Sequence, residues 1–112
     1  MPVPLYRSKA EFFRTLGHPA RIRVLELLSE RDRAVHELRE AIHVEASSLS
    51  HQLAVLRQQG LVTQQRTAGE VRYSLALPEV RDLLAAARNL LYARSANSNE
   101  FVDEFTSAPA VR

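Results

Sequence analysis

Residues 46–60 read ASSLSHQLAVLRQQG, and this stretch decides the fold of the chain. Three leucines recur in it at helical spacing and form one apolar stripe, whereas most of the other positions are polar. Gly60 ends the pattern, as glycine commonly does just after a helix. We therefore predict a helix from Ser47 to Gln59 that buries its leucines and exposes a polar side.

The polar side of this helix carries short hydrogen-bond donors and acceptors in its first turn and a half. Side chains of this kind approach phosphates and base edges closely. Only one residue between positions 46 and 60 is charged, an arginine, so no acid on the helix repels DNA. Such a helix suits the major groove. The alternative interpretation of His51 is a solvated residue of the helix surface that contacts no DNA. The predicted DNA contacts on the helix are Ser47, Ser48, Ser50, His51, Gln52 and Arg57.

A shorter helix, predicted from Val35 to Ile42, precedes the polar helix. Residues 43–46 form the turn between them, and two short helices joined so closely indicate a helix-turn-helix. Further upstream, helices are predicted over 4–16 and from Pro19 onward, since proline suits the first helical turn. The polar run 29–33 is predicted as an exposed loop or a frayed helix end.

Two strands, predicted over 61–66 and 71–76, follow the polar helix and form a hairpin. Residues 67–70 make the turn, with a glycine available for a positive φ angle. Arginines flank the tip, and an arginine on a protruding loop reaches a phosphate or the narrow minor groove. The predicted DNA contacts on the hairpin are Arg66, Thr67 and Arg72.

A final helix, predicted from Pro78 to Arg94, carries an apolar band that is broad for the surface of a small monomer. Burial within one chain is the alternative, and a seam between two copies is the preferred interpretation. Aromatic residues of the first helix are available to join this seam. The predicted dimer contacts are Leu5, Tyr6, Phe12, Phe13, Leu83, Leu84, Ala87, Leu90 and Leu91.

The chain has 112 residues, enough for one domain, and contains no cysteine. A disulfide framework, a thiolate nucleophile and a cysteine-based metal or redox site are therefore excluded. The net charge of +2 permits a polyanionic partner, because residues 96–112 are acidic on balance and the remainder is more basic than the total suggests. No apolar run is long enough to span a membrane and no secretory signal is recognisable, so a cytoplasmic protein is predicted.

The domain organisation follows from the same change in composition. We predict a DNA-binding and dimerisation domain over 1–95 and a mobile C-terminal tail over 96–112. Phe101, Val102 and Phe105 are the tail residues available to dock onto the domain.

Four stretches of the chain resemble the ArsR/SmtB-type winged-helix repressors: 16–25 (LGHPARIRVL), 47–57 (SSLSHQLAVLR), 60–62 (GLV) and 73–75 (YSL). With the order of the helices, the resemblance covers about residues 5–94, and the long second run followed by GLV is fairly specific for the family. The resemblance implies a winged helix-turn-helix of mainly α class with a β-hairpin wing. It also implies a recognition helix at 47–59 and a homodimer paired through the first and last of five helices.

The metal-binding members of that family place a cysteine pair on the third helix, where this chain has Ala34 and His36. Other members place histidine and acidic ligands on the last helix, which here contains no histidine and only Glu79 and Asp82 as acids. Tight sites need three or four converging ligands, so neither a metal nor another cofactor is predicted. His18, at the start of the second helix, is interpreted as a cap or packing residue.

The serines lack a plausible histidine and acid partnership and no phosphate-binding glycine loop is present, so an enzyme is not predicted. We predict a sequence-specific repressor that binds double-stranded DNA as a homodimer at an imperfect inverted repeat. Two alternatives remain open: a winged-helix module that docks other proteins, and a repressor that responds to a metal through histidine and carboxylates. The sequence specifies neither the operator nor the effector.

Overall fold

The computed structural model describes residues 1–95 and 100–102, which form five helices and one three-stranded antiparallel sheet. In chain order the elements are α1 (Leu5–Leu16), α2 (Pro19–Glu30), β1 (Arg33–Ala34), α3 (Val35–Ala41), α4 (Ala46–Gln58), β2 (Val62–Thr67), β3 (Glu70–Leu75) and α5 (Glu79–Arg94). The predicted five helices with a β-hairpin are confirmed, and the predicted ends of the hairpin strands and of α3, α4 and α5 shift by one residue.

The sheet contains one strand that the sequence analysis missed. Residues 33–34 form β1 and pair antiparallel with Tyr73 and Arg72 of β3, so the sheet order is β1-β3-β2. The run 29–33 is therefore no free loop. Ser29 in particular was expected to face solvent, but it is 8% exposed and its hydroxyl donates a 2.7 Å hydrogen bond to the carbonyl of Leu25.

The hydrophobic core lies where α2, α3 and α4 meet the sheet and the start of α5. Its members include four side chains of 0% exposure, namely Val24, Leu25, Leu38 and Leu56. The leucine stripe of α4 lies in this core, as its spacing predicts. Burial of the stripe against α2 and the sheet fixes which side of α4 faces solvent.

The hairpin of β2 and β3 closes through a two-residue turn, Ala68-Gly69. Both residues have positive φ angles, 52° for Ala68 and 80° for Gly69. Positive φ at both central positions is the geometry of a type I′ turn, whose twist matches that of the two strands. The predicted need for glycine at this turn is confirmed, and alanine occupies the other left-handed position.

Helix α5 packs on α2 through its first half, and Val80 is its one residue classed as buried. The guanidinium of Arg81 donates a 2.8 Å hydrogen bond to the carbonyl of Ser29, which ties α5 to the end of α2. Phe101 packs edge-on against Tyr92 with ring centroids 5.5 Å apart, whereas Val102 is exposed. Phe105 lies outside the described residues. No helix among those described is long and apolar enough to cross a bilayer.

Candidate nucleic-acid interface

The solvent-facing side of α4 carries most of the polar residues that were predicted to contact DNA. Ser47, Ser50 and His51 are exposed, and Ser48 is half-buried. Arg57, near the end of the helix, is exposed as well and remains the only charged residue of α4. These side chains are short and free of acids, so the exposed surface of α4 is suited to close approach by a phosphate backbone or by base edges.

A chain of hydrogen bonds joins α4 to the wing, the hairpin of β2 and β3. Arg57 donates from Nη1 to Oε1 of Gln64 on β2, and the amide nitrogen of Gln64 donates a 3.0 Å bond to the hydroxyl of Tyr73 on β3. Tyr73 is 6% exposed and belongs to the core. The bond between Arg57 and Gln64 thus links the polar helix to the wing, and the buried Tyr73 holds the Gln64 amide in place. No local pattern of the sequence identifies Gln64 as this link.

The tip of the wing presents two further predicted contacts. Arg66 and Thr67, the last two residues of β2, are exposed. Across residues 1–95 and 100–102 no carboxylate forms an ion pair with Arg66. Its charge is therefore available to an external anion.

Arg72, the other wing arginine, lies in a cluster of carboxylates. Its Nη1 is 2.6 Å from Glu70, its Nη2 is 3.9 Å from Glu37, and Nη2 also donates to the carbonyl of Asp32 at 3.4 Å. The hydrogen bond from Arg72 to Glu70 raises the pKa of the guanidinium. Arg72 therefore connects the wing to the start of α3, and its charge is compensated inside the protein.

Glu37 holds the centre of this cluster and also caps α3. Its Oε1 accepts the backbone N–H of Ala34 at 2.8 Å, and its Oε2 lies 3.2 Å from Arg31. The hydrogen bond from Ala34, followed by that from Arg31, lowers the pKa of Glu37 below its ordinary value of 4.5. The carboxylate thus remains charged at neutral pH and joins the first helix of the helix-turn-helix to the wing.

Gln52 departs from the sequence-based interpretation. It was placed on the exposed side of the polar helix, but it is 5% exposed and its Oε1 accepts a 2.7 Å hydrogen bond from Nε of Arg21 on α2. The spacing contained this information, because Gln52 follows Leu49 by three residues and precedes Leu56 by four, which places it in the apolar stripe. In this structure its amide does not reach outward.

His18 caps α2, as the sequence indicated. Its Nδ1 accepts the backbone N–H of Ala20 at 3.2 Å, and Pro19 follows at the first helical position. An accepting side chain at this position satisfies one of the free N–H groups at the start of a helix.

Apolar side chains on α1 and on the second half of α5 are uncovered in the single chain. Leu5 and Tyr6 are each 68% exposed, Phe13 is 53% exposed and Leu90 is 62% exposed. Ala87 and Leu91 are exposed too, whereas Phe12, Leu83 and Leu84 are half-buried and pack in part against the core of their own chain. The predicted dimer residues therefore divide into an uncovered set and a set that is shared with the core.

The residues at and just before the start of α3 do not fit the thiolate site found in metal-binding members of the resembled family. Ala34 is fully buried, and His36 points toward Glu70 of the wing at 3.9 Å, with 65% of its side chain exposed. Within the described part of the chain, no group of three or more potential ligands among histidines and acids converges. Two separated donors do not make a tight site.

Comparisons with known proteins place this geometry in a family. Residues 18–64 match the family model described as "Bacterial regulatory protein, arsR family". The HTH-type transcriptional regulator Rv0081 of Mycobacterium tuberculosis is 55% identical over 89 residues, which is 79% of this chain and 78% of that protein. The biofilm growth-associated repressor of Agrobacterium fabrum is 31% identical over 101 residues and covers 87% of this chain and 86% of its own.

Solved structures agree with the sequence relatives. The crystal structure of Rv0081 superposes with a TM-score of 0.75 at 53% identity, over 82% of this chain and 93% of that one. The homodimeric winged helix-turn-helix DNA-binding domain of Mb0332 from Mycobacterium bovis superposes with a TM-score of 0.70 at 25% identity, over 83% and 90% of the two chains. The chain therefore belongs to the arsR family of bacterial regulatory proteins, as a winged helix-turn-helix transcriptional regulator rather than an enzyme.

Proposed function

We propose that this protein is a repressor that binds an imperfect inverted repeat of double-stranded DNA as a homodimer. The observation that carries the proposal is the exposed surface of α4, which holds serines and a histidine, contains no acid and is hydrogen-bonded to the adjoining wing. A polar helix with a basic wing beside it matches the way winged helices enter the major groove and contact the flanking backbone.

The side chains divide by their chemistry and exposure. Ser47, Ser48, Ser50 and His51 face the groove and contact base edges or nearby phosphates. Arg57, Arg66 and Thr67 contact the sugar-phosphate backbone, because two are cationic and all three are exposed. Arg72 contributes to the backbone contacts to a smaller extent, since carboxylates already surround it.

Dimerisation accounts for the open apolar surface of α1 and α5. Exposed leucines and aromatic residues clustered on two helices are unfavourable in water and favour a symmetric partner. The Mb0332 domain, which shares the fold, is homodimeric. A twofold axis relates two copies of α4, so that they enter successive major grooves of an inverted repeat. Such a regulator acts in the cytoplasm, where the bacterial chromosome lies.

The experiment is a fluorescence anisotropy titration of the protein against the DNA upstream of its own gene. A scrambled duplex of equal length is the reference, because backbone contacts alone bind both duplexes equally. We expect tighter binding to the upstream duplex, together with a loss of that preference in His51→Ala. The matched control is Gln58→Ala, which changes an exposed residue of the same helix that has no assigned contact.

Two further arms decide between the alternative functions. Equal affinity for both duplexes, also after a search of other genomic fragments, contradicts the proposal and favours a module that docks other proteins. Titrations with a chelator, then with zinc or nickel, identify any metal effector: release of DNA on metal addition shows that histidines and carboxylates form a site. Binding that ignores the metal directs the search toward organic or protein effectors.

A further inference from the structure

The buried amide of Gln52 lies on the inner side of the helix that we propose to read DNA. Gln52 is the only polar residue of α4 among the buried ones, and it lies between Leu49 and Leu56 in the core stripe. A buried amide requires hydrogen-bond partners, because its desolvation is otherwise uncompensated. The identity of its partner therefore reports on what this position does.

Arg21 provides that partner and bridges three helices. Its Nε donates to Oε1 of Gln52 on α4 at 2.7 Å, and its Nη1 donates to the carbonyl of Thr15 on α1 at 3.1 Å. The guanidinium is planar, so its bonds to Gln52 and to Thr15 together fix the orientation of the Arg21 head group between the helices. A lysine ammonium keeps the charge but does not reproduce this fork.

His18 is a third neighbour of the pair, and the roles of donor and acceptor in its contact with the amide depend on the tautomer of its ring. Its Nδ1 accepts the N–H of Ala20, so a neutral ring carries its proton on Nε2. The amide nitrogen of Gln52 lies 3.4 Å from that Nε2, and two donors then face one another. The amide is consequently oriented by Arg21, which is a donor only and therefore selects the oxygen of Gln52.

The hydrogen bond between Arg21 and Gln52 adds a directional restraint on α4 that the leucine stripe lacks. Apolar burial is not directional, so a stripe of leucines permits small rotations and shifts of a helix against its neighbours. A hydrogen bond in the middle of the stripe favours one rotation and one register of α4. Base contacts need side chains placed within a fraction of an ångström. A fixed rotation and register of α4 should therefore affect the preference for operator DNA more than the affinity for DNA in general.

We propose that Arg21 and Gln52 are positioning residues that set the orientation of α4 on α1 and α2, and through it the discrimination between operator and other DNA. Neither residue needs to touch the DNA. The inference rests on the proposed function of α4 as the recognition helix.

The first test measures α4 without DNA. Hydrogen–deuterium exchange of the full chain should show faster exchange of the α4 amides in Arg21→Lys than in the wild type, with α5 unchanged. Arg14→Lys, a matched change at an exposed arginine of α1, should leave the α4 amides unaffected. Unchanged exchange of α4 in Arg21→Lys overturns the proposal whether or not the protein binds the tested DNA.

The second test compares operator and scrambled duplexes over a salt series. Arg21→Lys and Gln52→Leu should each reduce the operator preference about tenfold, and the double variant about tenfold as well, since both remove one interaction. The matched control, Gln58→Leu, makes the same change on the exposed side of α4 and should keep the preference. Affinity for the scrambled duplex and the salt slope should not change.

The contrary results are distinct. If Arg21 instead contacts a phosphate, Arg21→Lys keeps the operator preference, whereas Arg21→Ala weakens binding to both duplexes and reduces the magnitude of the salt slope by about 2 for the homodimer. Additive losses in the double variant contradict the pairing of the two residues. A wild type that fails to discriminate the duplexes contradicts the proposed function instead, and the exchange measurement still decides the role of Arg21. Thermal unfolding of Gln52→Leu verifies that the variant is folded, because leucine suits the surrounding stripe.

Discussion

Nη1 of Arg72 lies 2.6 Å from Oε2 of Glu70, its neighbour but one on β3. The same guanidinium also faces Glu37 of α3 at 3.9 Å. Arg66 is the other arginine of the wing, and it has no such carboxylate in the described part of the chain. Both arginines flank the wing turn and were predicted as DNA contacts on the same ground, whereas the structure gives them different electrostatic surroundings.

This difference predicts unequal contributions to DNA binding. Arg66→Ala should weaken binding to all sequences and reduce the magnitude of the slope of log K against log salt by about 2, because the homodimer loses two phosphate contacts and their released counterions, one at each wing. Arg72→Ala should change the slope by less than half as much, because Glu70 and Glu37 already compensate its charge. Anisotropy titrations at four or more salt concentrations measure both slopes. Equal slopes for the two variants contradict this prediction.

The elements that the sequence predicted are those defined by periodicity over several turns. The helices and the hairpin have regular patterns, and their ends were predicted to within one or two residues. β1 was missed because two residues carry no periodicity, and its pairing with Tyr73 depends on a segment far along the chain. Short strands of this kind are determined by tertiary contacts.

The candidate site was predictable in its outward residues and less so in its supporting ones. Exposed serines and His51 follow from the opposite side of a leucine stripe. Gln52 was misplaced because its polar character was weighed above its spacing of three and four residues from buried leucines. The cluster of Arg72 with Glu37 joins residues that are distant in sequence, and no local pattern identifies such a pair.

Glu37 predicts a pH dependence of stability. Its pKa is lowered in the folded state, so the ionised form favours folding, and this contribution is present at neutral pH and lost as the pH falls through the folded pKa. Glu37→Gln keeps an oxygen for the N–H of Ala34 but removes the charge. The variant should unfold at a lower temperature than the wild type at neutral pH, and the two unfolding temperatures should converge as the pH falls through the lowered pKa of Glu37.

Thermal unfolding followed by circular dichroism over a pH series checks this difference. Glu40→Gln serves as the control, because Glu40 is an exposed carboxylate of the same helix for which no such hydrogen bonds are found in the described residues. If the unfolding temperatures of Glu37→Gln and the wild type differ by the same amount at every pH, the charge of Glu37 does not contribute to stability.

The open surface of α5 predicts that a charge at Leu90 prevents dimerisation. Leu90 is 62% exposed in the single chain, so Leu90→Lys should leave the fold of each chain intact. A lysine buried in an apolar seam is left desolvated, which is unfavourable. Analytical ultracentrifugation should show a monomer at concentrations where the wild type is a dimer. Leu77→Lys, at an exposed leucine outside the predicted seam, should remain dimeric.

The wing turn predicts a stabilising substitution. Ala68 has a φ angle of 52°, in the left-handed region that costs an alanine roughly 1–2 kcal/mol relative to glycine. Asparagine tolerates this region better, and Asn-Gly is a favoured pair for a type I′ turn. Ala68→Asn should therefore raise the free energy of unfolding by about 0.5–1 kcal/mol. Urea unfolding should show a higher midpoint with an unchanged m-value.

A second substitution, at the neighbouring turn residue Gly69, tests the same turn geometry in the destabilising direction. Gly69 has a φ angle of 80° and open space around its Cα, so Gly69→Ala introduces backbone strain without a steric clash. It should lower the midpoint of urea unfolding, because alanine is disfavoured at that angle whatever the space. If Gly69→Ala is neutral and Ala68→Asn brings no gain, the hairpin in solution closes through a turn other than type I′, and the wing arginines then project differently from the strands.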